Sequence, residues 1–270
     1  MSPDISIGTR IRRVQSLNLT LELDRTGDGD RRIGSIGHRL LQKLTRARRA
    51  VYIKRAIERG GETIYEELAN AVVAGVAAVL AAAGLALLVV LAADTDNAKT
   101  VTSVVIYGAT LFLAFLFSSL YHGVWHRSTK RVLLVLDHIS IFLLIAGTYT
   151  PITLIVLPQP LGWTLFGILW GLAAIGIVAR LWARQLTLMQ IPVFLAMGWI
   201  GFAWAGTIFE HLGSDGTWLL LAGGFAYSGG VVFYLWRSLP FNHAVWHVCV
   251  LGGGVCHFVA VAAYAVPAAA

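Results

Sequence analysis

Charged residues are scarce in this 270-residue chain. Asp, Glu, Lys and Arg make up 13% of it, whereas hydrophobic residues make up 57%. A soluble domain carries about 25% charged residues, so this composition excludes a soluble globular protein. Cysteine is rare as well, since Cys249 and Cys256 are the only two. They share one face of a predicted helix and cannot bridge each other, which excludes a disulfide framework and favours their burial as small apolar residues.

Long apolar runs are abundant instead. Several stretches reach the roughly 20 residues that are needed to cross about 30 Å of hydrocarbon. We expect spans at 67–92, 101–125, 132–157, 162–181, 187–209, 217–236 and 242–266. The connections between them are short. The sequence therefore predicts one all-α membrane domain, a polytopic bundle of seven transmembrane helices over residues 62–266.

The basic residues are concentrated before the first span. The net charge is +7, and residues 1–65 hold 14 of the 21 Lys and Arg but 7 of the 14 acids. Short loops rich in Lys and Arg stay in the cytoplasm. The same rule places the loop with Arg127, Lys130 and Arg131 inside. We therefore expect a cytoplasmic amino terminus, an outside carboxyl terminus and a multi-pass location in the cell inner (plasma) membrane.

Two segments precede the membrane domain. Residues 1–36 are polar and predicted to be disordered. Residues 37–61 are predicted to form a basic amphipathic juxtamembrane segment that lies on anionic headgroups. The alternative is a solvated basic tail that only fixes the topology. The expected partners are thus membrane lipids, including anionic headgroups, and no nucleic acid. No signal peptide is visible, because the first apolar run is short and interrupted by charges.

Four ionisable side chains lie at one depth near the cytoplasmic ends of the spans. His122 lies near the end of the second span, Asp137 near the start of the third, and His243 and His247 at the start of the last. Such a group costs roughly 2.5 kcal/mol or more inside a span and is usually functional. The i, i+4 spacing puts His243 and His247 on one helix face, about 5–6 Å apart at Cβ. Three imidazoles suit zinc and leave a fourth ligand position open, although iron and copper also accept imidazole.

Two further side chains could act at this centre. Asp137 could be a general base for water in the fourth ligand position or a supporting acceptor, and Ser118, one turn before His122, could position that water. Taken singly, each histidine could equally be an isolated, satisfied polar residue of a helix bundle. His257 lies about 15 Å deeper than His247, which is too far for the same ion. We expect it to hydrogen-bond a neighbouring span.

Other polar residues have simpler interpretations. Glu66 and Glu67 open the first span, where helix capping accounts for both. Asn70 is expected to bond across helices. His126 adjoins Arg127 and is expected to be hydrated, and His138 points away from Asp137 and is expected to pack.

Three stretches of the chain carry a family resemblance. They are Ser118-Ser119-Leu120-Tyr121-His122, the run from Asp137-His138 to Tyr149-Thr150-Pro151, and the run from His243-Ala244-Val245-Trp246-His247 to Cys256-His257-Phe258. Over about residues 62–266 the chain resembles the haemolysin III family, the bacterial members of the progestin and adipoQ receptor group. The resemblance implies a seven-helix fold, with zinc held by residues matching His122, His243 and His247. It also implies a water-mediated carboxylate matching Asp137 and a serine matching Ser118.

The resemblance leaves three functions open. Bacterial members are associated with the homeostasis of membrane fluidity and energetics. Relatedness to ceramidases implies a zinc-dependent hydrolase of amide lipids as the alternative, and the family name implies a cytolytic pore as the third. The chain departs from many members in its first span, where Val73 and Ala74 replace a Thr-His pair. That departure leaves the three expected zinc ligands intact.

Overall fold

The regular elements of this chain are helices throughout the part that the computed structural model describes, residues 62–182 and 190–269. Within these two ranges the α-helices are α1 Ile64–Ala93, α2 Ala98–Gly123, α3 Arg127–Pro151, α4 Leu161–Trp182, α5 Gln190–Trp199, α6 Ala205–Leu235 and α7 Asn242–Ala260. Two π-helical turns, Ile152–Val156 and Val261–Ala265, continue α3 and α7, and 3₁₀ segments occupy Ile200–Trp204 and Pro267–Ala269. The all-α prediction is confirmed for these residues, whereas the predicted segments 1–36 and 37–61 lie outside them.

Six helical stretches of the described chain are long and apolar enough to cross a membrane. The predicted spans 187–209 and 217–236 fall together in one of them, the 46-residue stretch Gln190–Leu235. The length and composition of the helices therefore do not show the predicted count of seven spans. This stretch is not one regular helix, because Gly213 inside α6 has the non-helical angles φ 77° and ψ 174°.

Local sequence signals account for the helix starts. Thr63 and Glu66 form a capping box at α1, in which each side chain bonds the backbone of the other residue. The Asn97 side chain accepts from the first amides of α2. Helix α3 begins at Arg127, five residues before the predicted span start at 132. The hydrophobic pattern did not predict this first turn, because its residues are charged and lie outside the apolar run although they are helical.

Glycines set the distance between neighbouring helices at two places. A Cβ at Gly147 of α3 would overlap the Thr110 hydroxyl of α2, and its distance to the Thr110 Cβ would be 2.9 Å. A Cβ at Gly253 of α7 would lie 2.8 Å from the Tyr227 ring of α6. Small residues allow this close approach of membrane helices. The main core cluster includes Leu88 of α1, together with residues of α2, α3 and the end of α7.

The outer surface of the bundle is strongly apolar. Val79 is 70% exposed and Ile175 67% exposed, and Trp182 at the end of α4 is 88% exposed. A soluble protein rarely exposes such a continuous apolar surface. Hydrocarbon is its natural surrounding, and the helices satisfy their backbone hydrogen bonds internally, as a lipid environment requires. These features are those of a membrane protein that crosses the bilayer several times.

Candidate metal centre

Three histidines from two helices converge at one end of the bundle. His122 comes from the last turn of α2, and His243 and His247 come from the first two turns of α7. One ring nitrogen from each lies within 4.8 Å of the others, so the group could hold a metal ion. His122 and His247 are 2% and 5% exposed. Sequence spacing predicted the pair on α7, and α1, which packs against both α2 and α7, holds the two helices so that His122 supplies the third imidazole.

Two carboxylates from the start of α1 orient two of these imidazoles. The Nδ1 of His122 lies 2.8 Å from Oε2 of Glu67, and the Nδ1 of His243 lies 2.5 Å from Oε1 of Glu62. A carboxylate oxygen only accepts, so each Nδ1 must donate. The Nε2 of each ring is then left as an acceptor whose lone pair is free for a metal. Carboxylate partners of this kind are the usual outer support of metal-binding histidines.

Glu62, Glu67 and His122 are also close enough to one another to form a metal-binding group. Every carboxylate oxygen in this group, however, already has a donor. Glu62 accepts from His243 and, at 2.6 Å, from Asn70 Nδ2, while Glu67 accepts from His122 and, at 2.7 Å, from Lys130 Nζ. We therefore interpret the two glutamates as the support shell of the histidine centre, and we use that name for Glu62 and Glu67.

The chemistry of the donor atoms fits a metal ion. The Nε2 of His122 is buried and has no hydrogen-bond partner among the described residues. A buried polar atom without a partner is costly and demands an explanation. Since Glu67 occupies the other ring nitrogen, a cation bound at Nε2 is the simplest one. His122 also meets His243 and His247 edge to face, with ring centroids 4.7 and 5.4 Å apart, so all three rings surround one point.

The predicted auxiliary residues Ser118 and Asp137 lie beside this group. Ser118 is buried, and its Oγ lies 3.4 Å from Nε2 of His247. The same hydroxyl interacts with the Asp137 carboxylate of α3, which also lies within electrostatic range of His122 and His243. Asp137 therefore lies near the three histidines but is not part of the group of residues that could hold a metal ion together.

The polar residues Glu66, Glu67 and Asn70 of α1 differ in the contacts that they make. Glu66 caps the helix with Thr63, as predicted. Glu67 also lies in the first turn, but capping does not account for it fully, because its side chain bonds His122 and Lys130. Asn70 contacts α2, with its Nδ2 lying 3.4 Å from Nδ1 of His122. Because both nitrogens are donors when Nδ1 donates to Glu67, this contact is not a hydrogen bond, and Nδ2 donates to Glu62 instead.

Sequence reasoning missed Glu62 altogether. The rule that a metal-binding histidine donates its second nitrogen to a carboxylate was the signal that could have found both members of the support shell.

The other histidines of the described residues lie outside the centre. His257 bonds the backbone oxygen of Leu220 on α6 at 3.0 Å, which confirms the predicted bond to a neighbouring span. His126 is exposed and lies near Ser128 and Thr129. His138 does not simply pack, because its Nδ1 accepts a 3.0 Å hydrogen bond from Nε of the buried Arg180. The two cysteines are free, as expected.

Comparison with known proteins identifies the family. The sequence model described as "Haemolysin-III related" matches residues 62–258. The chain is 42% identical to Hemolysin-3 of Bacillus cereus over 207 residues, which cover 76% of this chain and 94% of that protein. It is 40% identical to the Hemolysin-3 homolog of Bacillus subtilis (strain 168), with 76% and 96% covered. It is also 31% identical to the human monocyte to macrophage differentiation factor, with 75% and 85% covered.

Both Bacillus relatives match almost along their whole length, and the matched range contains all three histidines and both glutamates of the support shell. The chain therefore belongs to the haemolysin III family of multi-pass membrane proteins.

Proposed function

We propose that the protein binds one zinc ion through His122, His243 and His247. The observation that carries this proposal is the buried Nε2 of His122, which has no partner in the described part of the chain while its Nδ1 is fixed by Glu67. Zinc favours histidine nitrogens at about 2.0 Å and a coordination number of four. Calcium and magnesium need more oxygen ligands. Three protein ligands leave one coordination position open, which is typical of functional rather than purely structural zinc sites.

The test is the metal content of purified protein. We expect about one zinc per chain, because each ligand nitrogen belongs to a single centre. His243→Ala and His247→Ala each leave zinc two nitrogen ligands and should reduce the content to near zero. His257→Ala is the matched control, since His257 lies on the same helix but bonds Leu220. Elemental mass spectrometry measures this directly, and full zinc in the His247 variant would show that the assignment is wrong.

Seven spans are the second part of the proposal. The stretch Gln190–Leu235 has 46 residues, which at 1.5 Å per residue corresponds to about 69 Å of helix. One crossing of about 30 Å of hydrocarbon needs less than half of this length. The non-helical Gly213 supplies the break between two crossings. With an odd number of spans and the basic amino-terminal segment in the cytoplasm, the metal centre lies near the cytoplasmic face of the inner (plasma) membrane.

The role that we propose is the homeostasis of membrane lipids, fluidity and energetics, with membrane lipids as the partners. The centre lies at the ends of α2 and α7, where a lipid headgroup region meets the apolar bundle. An open ligand position at that depth can receive a polar group of a lipid. The resemblance to bacterial members associated with membrane homeostasis supports this role. A cytolytic pore, which the names of the Bacillus relatives suggest, has no supporting observation among the described residues.

Zinc-dependent hydrolysis of an amide lipid is the second candidate, and the position of Ser118 and Asp137 favours it. When bound, zinc would supply Lewis-acid activation of water and of a substrate carbonyl. Asp137 would take one proton from the attacking water and return it to the leaving nitrogen as the carbon–nitrogen bond breaks. Ser118 would orient Asp137 through the contact between their side chains. The products are a fatty acid and an amine, so water is the only co-reactant.

Asp137→Asn separates the two candidate functions. The amide keeps the size of the side chain but cannot accept a proton. If Asp137 is a general base, hydrolysis of ceramide-like lipids should fall about 10²–10⁴-fold while zinc content stays near one. If it only supports the centre, zinc affinity should instead weaken by roughly 10–100-fold. A variant with wild-type zinc affinity, turnover and membrane phenotype would contradict both roles.

A further inference from the structure

Two glutamates fasten the start of α1 to the start of α7, the helix that carries two of the three metal ligands. Glu62 reaches His243, and Glu66 reaches the backbone of Phe241. Both contacts join residues that are far apart in the sequence. We call these two glutamates the clasp.

The Glu66 carboxylate accepts hydrogen bonds from residues at the starts of both α1 and α7. Its Oε2 accepts 2.8 Å hydrogen bonds from the amide and the hydroxyl of Thr63, which is the N-cap of α1. Its Oε1 accepts a 3.2 Å hydrogen bond from the amide of Phe241. Phe241 is the N-cap residue of α7, has φ 57°, and makes no side-chain cap. The start of α7 therefore obtains from α1 a capping interaction that its own sequence does not supply.

Glu62 acts on the ligand itself. Its Oε1 lies 2.5 Å from Nδ1 of His243, and its Oε2 accepts from Nδ2 of the fully buried Asn70 at 2.6 Å. Asn70 thus holds one oxygen of the carboxylate while the other faces His243. Glu62 precedes the N-cap Thr63, so its backbone position follows from the capping box that Glu66 completes. One continuous set of bonds runs from the start of α1 to the His243 ring.

His122 and His243 are supported in different ways. The partner of His122 is Glu67, which lies inside α1 and is also bonded by Lys130. The partner of His243 is Glu62, which lies before the first helical residue, Ile64. Because α7 begins at Asn242, His243 is in its first turn, where a helix is held by few of its own hydrogen bonds. His243 therefore depends on support from a residue outside its own helix.

We propose that Glu62 is a positioning residue for the metal ligand His243 and that the clasp presets the centre for its ion. This inference rests on the proposed zinc centre. The Glu62 carboxylate fixes the protonated Nδ1 and the plane of the ring, and Glu66 fixes the backbone that carries both partners. Neither glutamate binds the metal. Their effect is therefore on affinity and ligand geometry rather than on the number of ions bound.

The experiment compares the full-length wild type with Glu62→Gln, Glu62→Asp and Glu66→Gln. Zinc affinity is measured by chelator competition, and ligand geometry by the visible absorption of cobalt(II) in the same site. Glu62→Gln should weaken zinc binding by roughly 10–100-fold and change the cobalt bands, yet still bind one ion at saturation. Glu62→Asp keeps the charge but is one methylene too short, so it should behave like Glu62→Gln. Glu66→Gln should lower the melting temperature of the metal-free protein more than Glu62→Gln does.

The controls make the outcomes distinct. Glu210→Gln changes an exposed glutamate of α6 and should alter neither zinc affinity nor the cobalt spectrum. If the wild type binds no zinc, the proposed function itself is wrong. If the wild type binds zinc and Glu62→Gln binds it equally well, only the positioning role is overturned. Wild-type affinity in Glu62→Asp would also overturn it, since charge rather than placement would then be responsible.

Discussion

A chain of hydrogen bonds leads from the start of α3 to the proposed metal centre and predicts a graded loss of zinc affinity. Lys130 Nζ lies 2.7 Å from Oε1 of Glu67, and Oε2 of Glu67 lies 2.8 Å from Nδ1 of His122. Each residue in this chain is one bond further from the ion. We therefore expect the effect of a substitution to decrease from His122 to Glu67 to Lys130.

The magnitudes follow from what each substitution removes. His122→Ala removes a ligand and should abolish stoichiometric zinc binding. Glu67→Gln leaves the ligand but replaces its charged acceptor, for which a loss of about 10–100-fold in affinity is typical. Lys130→Met removes a partner whose side chain is 26% exposed. A partly exposed ion pair contributes about 0.2–1 kcal/mol, so the loss should be at most about fivefold.

Chelator competition on purified protein at constant ionic strength measures all three affinities. Added salt should weaken the effect of Lys130→Met and leave that of Glu67→Gln almost unchanged, because only the lysine pair is substantially screened. Arg127→Met is a suitable control, since Arg127 is an exposed cation in the same turn of α3. Equal losses for the Glu67 and Lys130 variants would refute the reasoning, as would a Glu67→Gln protein with wild-type affinity.

Two further predictions concern topology and packing. A reporter fused after Ala270 should report the outside and one inserted near Ser128 the cytoplasm; a cytoplasmic carboxyl terminus would contradict the seven proposed spans. Gly147→Ala should cost about 1–3 kcal/mol of stability, because the new methyl group meets the Thr110 side chain and pushes α2 and α3 apart. Gly167→Ala meets no atom within 4 Å and should not lower the melting temperature, so equal thermal unfolding of the two variants would count against this packing.

The three histidines of the candidate centre could be found from the sequence because they break the pattern of their surroundings. An imidazole within an apolar run is costly, so His122, His243 and His247 stand out. Their depth follows from counting residues to the nearest charged loop, and the spacing on α7 follows from helix geometry. Each of these inferences uses the sequence of a single helix and needs no information on how helices pack. The structure adds that α1 packs against both α2 and α7, and that the ring of His122 meets the two rings on α7.

The support shell could not be predicted in the same way. Glu67 lies in the first turn of α1, where a carboxylate is favourable for reasons that involve no other helix. Its true partner, His122, is 55 residues away, and the pairing depends on which face α1 turns toward α2. Glu62 lies before the helix, where no periodicity applies. The sequence pattern identifies polar residues inside apolar runs. Glu62 and Glu67 lie before and at the start of a helix, where carboxylates are common, so the pattern does not mark them.

The two predicted spans on either side of Gly213 form one continuous helical stretch in the structure. Hydropathy separates 187–209 from 217–236 because polar residues such as Glu210 and Asp215 interrupt the apolar run. The helical backbone continues through this interruption on both sides of Gly213, so helix length and composition merge the two. Glycine reaches φ 77° without the steric cost that a side chain would add. Backbone continuity and membrane crossing are thus different properties, and only the second follows from the apolar pattern.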